Sequence, residues 1–333
     1  MSDKEKIAVI GDGGWGTAMS LVLLSSGHRV RMWSHDAAYL DEMTNTRVNS
    51  RFLPTATLPA DLGFEADLGG IMQWADMVVS AIPSKFLRPV LSRASGALDK
   101  DKPVLSLTKG FDAEALKRPS EVIRECLGAR HVVALSGPCH AEEIARGLPA
   151  SVVVASEELE VARRLQRAVT TPRFRVYASR DIVGVEVAAA VKNVIALAAG
   201  LVYGMKLGDN ALAALATRGL VEMTRLGVAL GGDAATFSGL AGMGDLITTC
   251  ISAHSRNRQV GTRLAAGEKL EDILAGMTGV PESVTTTSLA VGLAKKHHVA
   301  MPITEQVASV LWEGKSPAQA LDELMNRARK DED

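Results

Sequence analysis

The stretch IAVIGDGGWGTA, residues 7–18, constrains the fold more than any other part of the chain. An apolar run ends in Gly11-x-Gly13-x-x-Gly16, and a helical pattern, WGTAMSLVLLSSG, comes next and closes at Gly27. A strand that turns this tightly into a helix needs a residue without a side chain at the turn (Gly11). It needs another where a ligand meets the backbone (Gly13), and a third where helix and strand touch (Gly16). Free N–H groups and the positive dipole end then face outward at Gly14, Trp15 and Gly16, which suits a pyrophosphate. The motif therefore predicts a βαβ unit that binds a dinucleotide.

The segments beyond Gly27 fit that unit. HRVRMWS, DMVVSAI, PVLSLT, HVVALSG and ASVVVAS are continuous runs rich in Val, Ile and Leu rather than alternating ones. This predicts parallel strands covered on both faces. Past Ser179 the β-type runs stop and helical patterns rich in Ala, Leu and Gly take over, among them NALAALATRGLVEMTRLGVALGG and PITEQVASVLWEG. The expected architecture is α/β: an N-terminal Rossmann-type doubly wound sheet over residues 1–183, followed by an all-α domain over 184–333. The tail NRARKDED reads as a solvated end.

Bulk properties exclude some partners. The net charge of -1 and the 4% aromatic content give no surface for nucleic acid. Cys126, Cys139 and Cys250 have neither metal-type nor redox-type spacing, so no metal is expected, and the setting reads as reducing and cytoplasmic. The opening apolar run breaks at Gly11 and Asp12, too early for a signal peptide. The longest apolar stretch, around EVAAAVKNVIALAAG, is interrupted by Glu186 and Lys192, so no stable membrane insertion is expected.

Candidate site residues gather at strand ends and in the helical half. Ligands of open α/β sheets lie outside the carboxyl ends of the strands. There the chain places Ile82-Pro83-Ser84, Thr108-Lys109-Gly110 and Gly137-Pro138-Cys139. A cation at Lys109 suits an anionic substrate or a carbonyl oxygen, whereas Cys139 reads equally as a packing residue. After the second strand come Ser34, His35 and Asp36. Asp36 suits the ribose hydroxyls of NAD, His35 suits the 2′-phosphate of NADP, and both also suit an ordinary helix start. Lys192 in an apolar helix is costly unless paired. Asp245 in a glycine-rich turn reads either as a helix cap or as its partner, and a desolvated lysine acts as an acid or base near neutral pH. Ser255-Arg256-Asn257 reads as a solvated turn or as a phosphate cradle at a helix start.

GDGGWGTA, TKGFD, LSGPCHAEE, EVAAAVKNVIALAAGL, GDNALAALATRGLVEMTRLG, TFSGLAGMGDLITTC and SAHSRNRQVG, in this order over nearly the whole chain, resemble the bacterial NAD(P)-dependent glycerol-3-phosphate dehydrogenases. The resemblance implies reversible reduction of dihydroxyacetone phosphate to sn-glycerol 3-phosphate with NADH or NADPH, feeding glycerophospholipid synthesis. By motif position it implies Lys192 as the catalytic lysine. Lys109, Gly137, Cys139, Lys192, Asp245, Ser255, Arg256 and Asn257 would surround the substrate. Gly11, Gly13, Gly14, Trp15, Gly16, His35, Lys109, Ala141, Arg256, Val280 and Glu282 would contact the cofactor. A homodimer is expected. Two places depart from the family pattern: Cys139-His140 replaces the usual Ser or Thr followed by Phe, and Val-Pro-Glu-Ser at 280–283 replaces Val-x-Glu-Gly.

Overall fold

The computed structural model describes residues 4–277, 279 and 281–328. Strand β1 (Lys6–Ile10) turns into α1 (Gly14–Ser25), and β2 (Arg29–Trp33) and α2 (Ala37–Thr46) come next. A small hairpin of β3 (Val48–Asn49) and β4 (Leu53–Thr57) precedes β5 (Gly63–Glu65) and α3 (Leu68–Trp74). The sheet half continues with β6 (Met77–Ser80), α4 (Ser84–Ser92), β7 (Val104–Ser106), α5 (Pro119–Leu127), β8 (Val132–Ser136), α6 (Ala141–Ala145), β9 (Ala150–Ala155), α7 (Leu159–Val169) and β10 (Phe174–Ser179). Eight of these strands form one sheet in the order β10-β9-β8-β7-β6-β1-β2-β5, while β3 and β4 pair apart from it.

Successive side chains of a strand point to opposite faces, and here both faces are buried. Ile7 and Val9 of β1 belong to one apolar cluster, with Met19, Leu23 and Val79. Ala8 and Ile10 belong to another, with Ile71, Leu91 and Ile123. This is why the strands read as continuous apolar runs.

One junction departs from the expected parallel order: β8 and β9 run antiparallel, Ala134 opposite Ala155 and Ser136 opposite Val153. The reason lies in the link between them. Helix α6 has five residues, about 7.5 Å of helix, too short to return the chain along a strand of about 17 Å for a parallel crossover. The eleven-residue α7 is long enough, and β10 duly lies parallel to β9.

The helical half begins with α8 (Ile182–Gly204) and continues through α9 (Asp209–Ala229), α10 (Ala234–Phe237), a π-helical turn (Leu240–Gly244), α11 (Asp245–Ile251), α12 (Arg256–Ala265), α13 (Leu270–Ala275), α14 (Glu282–Lys296), α15 (Pro302–Trp312) and α16 (Pro317–Met325). Helix α8 is the axis of this half and packs against α9, α11, α12, α14 and α15. By length and composition alone it could cross a membrane, but 94% of its apolar window is buried inside the protein. Helix α12 lies backbone to backbone on it. A Cβ on Gly200 would sit 2.1 Å from the Arg258 carbonyl oxygen, and one on Gly261 would sit 2.0 Å from that of Leu197. This close crossing brings the start of α12 down onto the middle of α8, where Lys192 lies.

Candidate active site

The dinucleotide side of the site is built by the glycine turn. Gly11 holds φ at +118°, and a Cβ there would come 2.7 Å from the Ala81 carbonyl oxygen at the end of β6. A Cβ on Gly16 would meet the Gly11 carbonyl at 2.2 Å, so helix and turn close only around glycine. Over Gly13, by contrast, no described atom lies within 4 Å of where a Cβ would stand. That open face sits at the start of α1, whose first turn has no side-chain cap. The free N–H groups and the bare backbone together fit a pyrophosphate. The Trp15 ring turns away and packs against Phe174, with ring centroids 6.3 Å apart, so Trp15 serves the turn through its backbone.

On the catalytic side, Asp245 is buried at the first turn of α11 and is gripped by two ammonium groups. Lys192 Nζ lies 2.5 Å from Oδ1, and Lys109 Nζ lies 2.9 Å from Oδ2. Lys192 also donates to Thr249 Oγ1 at 2.8 Å, and Ser136 Oγ donates to Asp245 Oδ2 at 3.3 Å. Lys192 is 4% exposed and Asp245 2% exposed, so neither reaches bulk water. Asp245 is therefore the lysine partner rather than a helix cap, and Lys192 does not extend to the surface.

The electrostatics of this trio are unequal. Burial draws the Lys192 ammonium down to about 8, because Asp245 only partly offsets it and the Lys109 charge adds to it. Burial also works against the Lys109 ammonium, but Asp245 and the neighbouring Cys139 outweigh it and hold the group above the usual lysine range. Burial pushes against the Asp245 carboxylate too, and the two ammonium groups overcome that and keep it ionised. Two cations share one carboxylate, so the trio itself carries one positive charge; the nearby buried Glu282 acts on both lysines and on Arg256, so counting it and Arg256 together leaves the same surplus.

The segment 136–141 joins the two sides. Gly137, with φ at +142°, packs on Val152, where a Cβ would come 2.9 Å from Cα. Cys139 Sγ lies 3.8 Å from Lys109 Nζ. Ala141 opens α6 beside Gly14, 3.7 Å from where a Cβ on that glycine would stand. The His140 ring lies 6.1 Å from that of His254, and its Nε2 is buried with no partner among the described residues.

Ser255 caps α12, its hydroxyl accepting from Arg258 N at 3.3 Å. Arg256 is exposed, and its guanidinium lies against Gly279, where a Cβ would come 2.2 Å from Nη1. Asn257 Nδ2 donates to Asn193 Oδ1 at 2.9 Å, and Asn257 Oδ1 accepts from Ser283 N at 3.0 Å. Asn193 Nδ2 in turn donates to Glu282 Oε2 at 3.3 Å, so α8, α12 and α14 are laced together beside Lys192. Val280, expected at the cofactor, lies outside the described residues. His35 is exposed at the end of β2, whereas Asp36 caps α2 by accepting from Tyr39 N at 3.0 Å.

Sequence reasoning missed Ser136 and Thr249. Thr249 left one usable sign: in DLITT it stands four residues after Asp245, on the same helix face.

Comparison with known proteins adds to this geometry. Residues 6–162 match the family model for the N-terminus of NAD-dependent glycerol-3-phosphate dehydrogenase, and residues 181–322 match that for its C-terminus. A glycerol-3-phosphate dehydrogenase [NAD(P)+] of Geobacillus thermodenitrificans is 47% identical over 331 residues, covering 98% of this chain and 96% of its own. One of Koribacter versatilis is 46% identical over 327 residues, 97% of each chain. The crystal structure of glycerol-3-phosphate dehydrogenase from Coxiella burnetii is similar with a TM-score of 0.93 at 38% identity, covering 97% of this chain and 99% of that one.

Proposed function

The chain belongs to the NAD-dependent glycerol-3-phosphate dehydrogenase family and is an NAD(P)-dependent oxidoreductase acting on a CH–OH group; from that premise we propose that it reduces dihydroxyacetone phosphate to sn-glycerol 3-phosphate, reversibly, with Lys192 as acid and base. The observation that carries this reading is the buried surplus charge, two ammonium groups on one carboxylate, with Lys192 at about 8.

When bound, the nicotinamide supplies the hydride that reduces the ketone. The residues of the chain do the rest. As the ketone carbon is reduced, negative charge grows on its oxygen. Lys192, fixed by Asp245 and Thr249, stabilises that charge and delivers its proton there; in reverse it removes the proton from the hydroxyl. Asp245 holds the ammonium in place and shares its charge between Lys192 and Lys109. A positioned proton donor typically contributes ~10²–10⁴-fold, and preorganised charge in a dry site adds to it. The capped start of α12 at Ser255, with Arg256 and Asn257, holds the phosphate remote from the reacting carbonyl. Its binding orients the ketone beside Lys192.

The product in this reading serves glycerophospholipid synthesis, in the cytoplasm. The three free cysteines support the location. The working assembly is a homodimer. Supporting it are apolar side chains exposed on the neighbouring helices α9 and α11, with Val228 48%, Ile247 46% and Ile251 54% exposed.

The test measures the loss of reduced-nicotinamide absorbance with dihydroxyacetone phosphate and with 2-keto and 3-keto acids. Turnover confined to the phosphorylated ketone is expected; comparable turnover of a keto acid, or none of the phosphorylated ketone, would overturn the assignment.

A further inference from the structure

The carboxyl end of β2 decides which form of the dinucleotide the chain takes. In a βαβ turn of this kind the adenine ribose lies there. A free carboxylate accepts from the ribose hydroxyls of NAD, and a nearby arginine accommodates the 2′-phosphate of NADP. After Trp33 come Ser34, His35 and Asp36. Ser34 is buried, its hydroxyl donating to Asp12 Oδ2 at 2.9 Å and accepting from Asp36 N at 3.1 Å. Asp36 has both oxygens engaged: Oδ1 accepts from Tyr39 N at 3.0 Å, and Oδ2 accepts from Arg51 Nη1 at 2.8 Å. The acidic residue expected to read ribose is thus occupied with a helix start and a guanidinium.

That guanidinium belongs to a built structure. Arg51 lies over the Tyr39 ring, 3.8 Å from its centroid, with 49% of its side chain exposed. The loop that carries it is bonded directly to the glycine turn. Asn49 Nδ2 donates to the Asp12 carbonyl at 2.7 Å and to Thr17 Oγ1 at 2.7 Å. Tyr39 Oη donates to Asn49 Oδ1 at 2.6 Å and accepts from Arg51 N at 2.9 Å. A Cβ on Gly14 would come 2.9 Å from the Phe52 carbonyl oxygen, so the loop also touches the start of α1. Glycine turn, α2 and residues 49–52 form one hydrogen-bonded unit, and its half-exposed Arg51 is bonded to Asp36, the residue that follows His35.

We propose that Arg51, held in place by Asp36 and Tyr39 after the end of β2, anchors the 2′-phosphate of NADP(H), and that the protein prefers NADP(H) to NAD(H). The proposal refines the cofactor side of the dehydrogenase reading and rests on it for the turnover measurements. A guanidinium has five N–H donors. One is spent on Asp36, and the rest present a planar fork to phosphate oxygens. Asp36 neutralises one guanidinium charge but also fixes its plane, so little freedom is lost when phosphate binds.

The experiment has two arms on the full-length protein. Calorimetry compares 2′,5′-ADP with 5′-AMP, fragments that lack the nicotinamide, and kinetics compares NADPH with NADH. Tighter binding of 2′,5′-ADP and a higher kcat/KM with NADPH are expected. Arg51→Ala should lower kcat/KM for NADPH by about 10–100-fold and erase the extra affinity for 2′,5′-ADP, while NADH is used nearly as before. Arg51→Lys, which keeps the charge but loses the fork, should fall between. Equal use of both cofactors by the wild type, or equal losses on both in Arg51→Ala, would overturn the proposal, as would an Asp36→Asn variant that loses mainly NADH turnover. If neither cofactor supports reduction of dihydroxyacetone phosphate but 2′,5′-ADP still binds through Arg51, the reaction assignment fails and the 2′-phosphate anchor stands.

Discussion

Helix α8 buries two charged groups, Glu186 near its start and Lys192 at its middle, and the surroundings treat them differently. Glu186 is 3% exposed and is fully served by α5 and the residue before it. Ser120 N donates at 2.7 Å, Ser120 Oγ at 2.6 Å and Arg118 Nη1 at 2.7 Å. The cation, Arg118, serves Glu186 and also lies 3.3 Å from Glu121 Oε2, so its own charge is matched twice, and the Ser120 hydroxyl and amide fill the remaining lone pairs of Glu186. At Lys192 the count does not close, because Lys109 takes half of the carboxylate that Lys192 needs. A buried pair satisfied within the protein ties elements together. A buried charge left in surplus is useful only to something that arrives from outside, such as a developing alkoxide.

The largest effects should separate these two places by kind. Lys192→Ala should lower kcat by about 10³-fold or more and leave unfolding free energy unchanged or slightly higher, since Lys109 and Asp245 then pair one to one. Glu186→Ala should do the reverse: activity in the folded fraction persists, but stability drops by ~1–3 kcal/mol, because the buried Ser120 amide and hydroxyl lose their acceptor while Arg118 keeps only Glu121. Single-turnover kinetics and urea unfolding of both variants check this. A Lys192→Ala protein as destabilised as Glu186→Ala would mean that the surplus charge is structural after all.

Only part of this contrast was legible in the chain. The glycine turn, the covered strands and the long apolar helix could be read because each is a local pattern: a spacing, a run, a period. Lys192 stood out for the same reason, as a charge in an apolar run. Glu186 sits in that run too, and nothing local marks its partners, since Arg118 and Ser120 are 68 and 66 residues away. Ser136 and Thr249 are ordinary residue types: the role of Ser136 arises only when β8 meets Asp245 of α11, and that of Thr249 only when α8 brings Lys192 to it. The hairpin β3–β4 left no apolar period either, because its strands have two and five residues and much of their surface is exposed. Yet its loop supplies Arg51.

Arg256 offers a third kind of charge, exposed at the start of a helix and turned toward Gly279 rather than buried. Its removal should be milder than that of Lys192 and should depend on the substrate. Hydrogen bonds to a charged group are worth ~1.5–3 kcal/mol, so Arg256→Ala should cost about 10–100-fold in kcat/KM for dihydroxyacetone phosphate. Unphosphorylated dihydroxyacetone, a poor substrate throughout, should lose much less, because the group that Arg256 holds is absent from it. Equal fractional losses on the two ketones would exclude phosphate recognition.

The smallest effect, about tenfold per pH unit, is the one most specific to the surplus charge. With Lys192 at about 8, its ammonium is present below that pH and lost above it. Ketone reduction consumes the proton of Lys192, so its kcat/KM should be flat below about 8 and fall as the pH rises through it. Alcohol oxidation needs the free amine, so its profile should rise toward about 8 and level off above it. Two mirror-image limbs that share one midpoint cannot come from unfolding, which would depress both directions together. The cause can also be tested. Lys109 is one of the charges that disfavour the Lys192 ammonium, so Lys109→Met removes a like charge and frees the whole of Asp245 for Lys192. Both changes raise the Lys192 pKa. The Lys109→Met enzyme should therefore be slower but should hold its reduction limb to a higher pH than the wild type. A limb that stays in place, or moves down, would show that the group titrating near 8 is not Lys192.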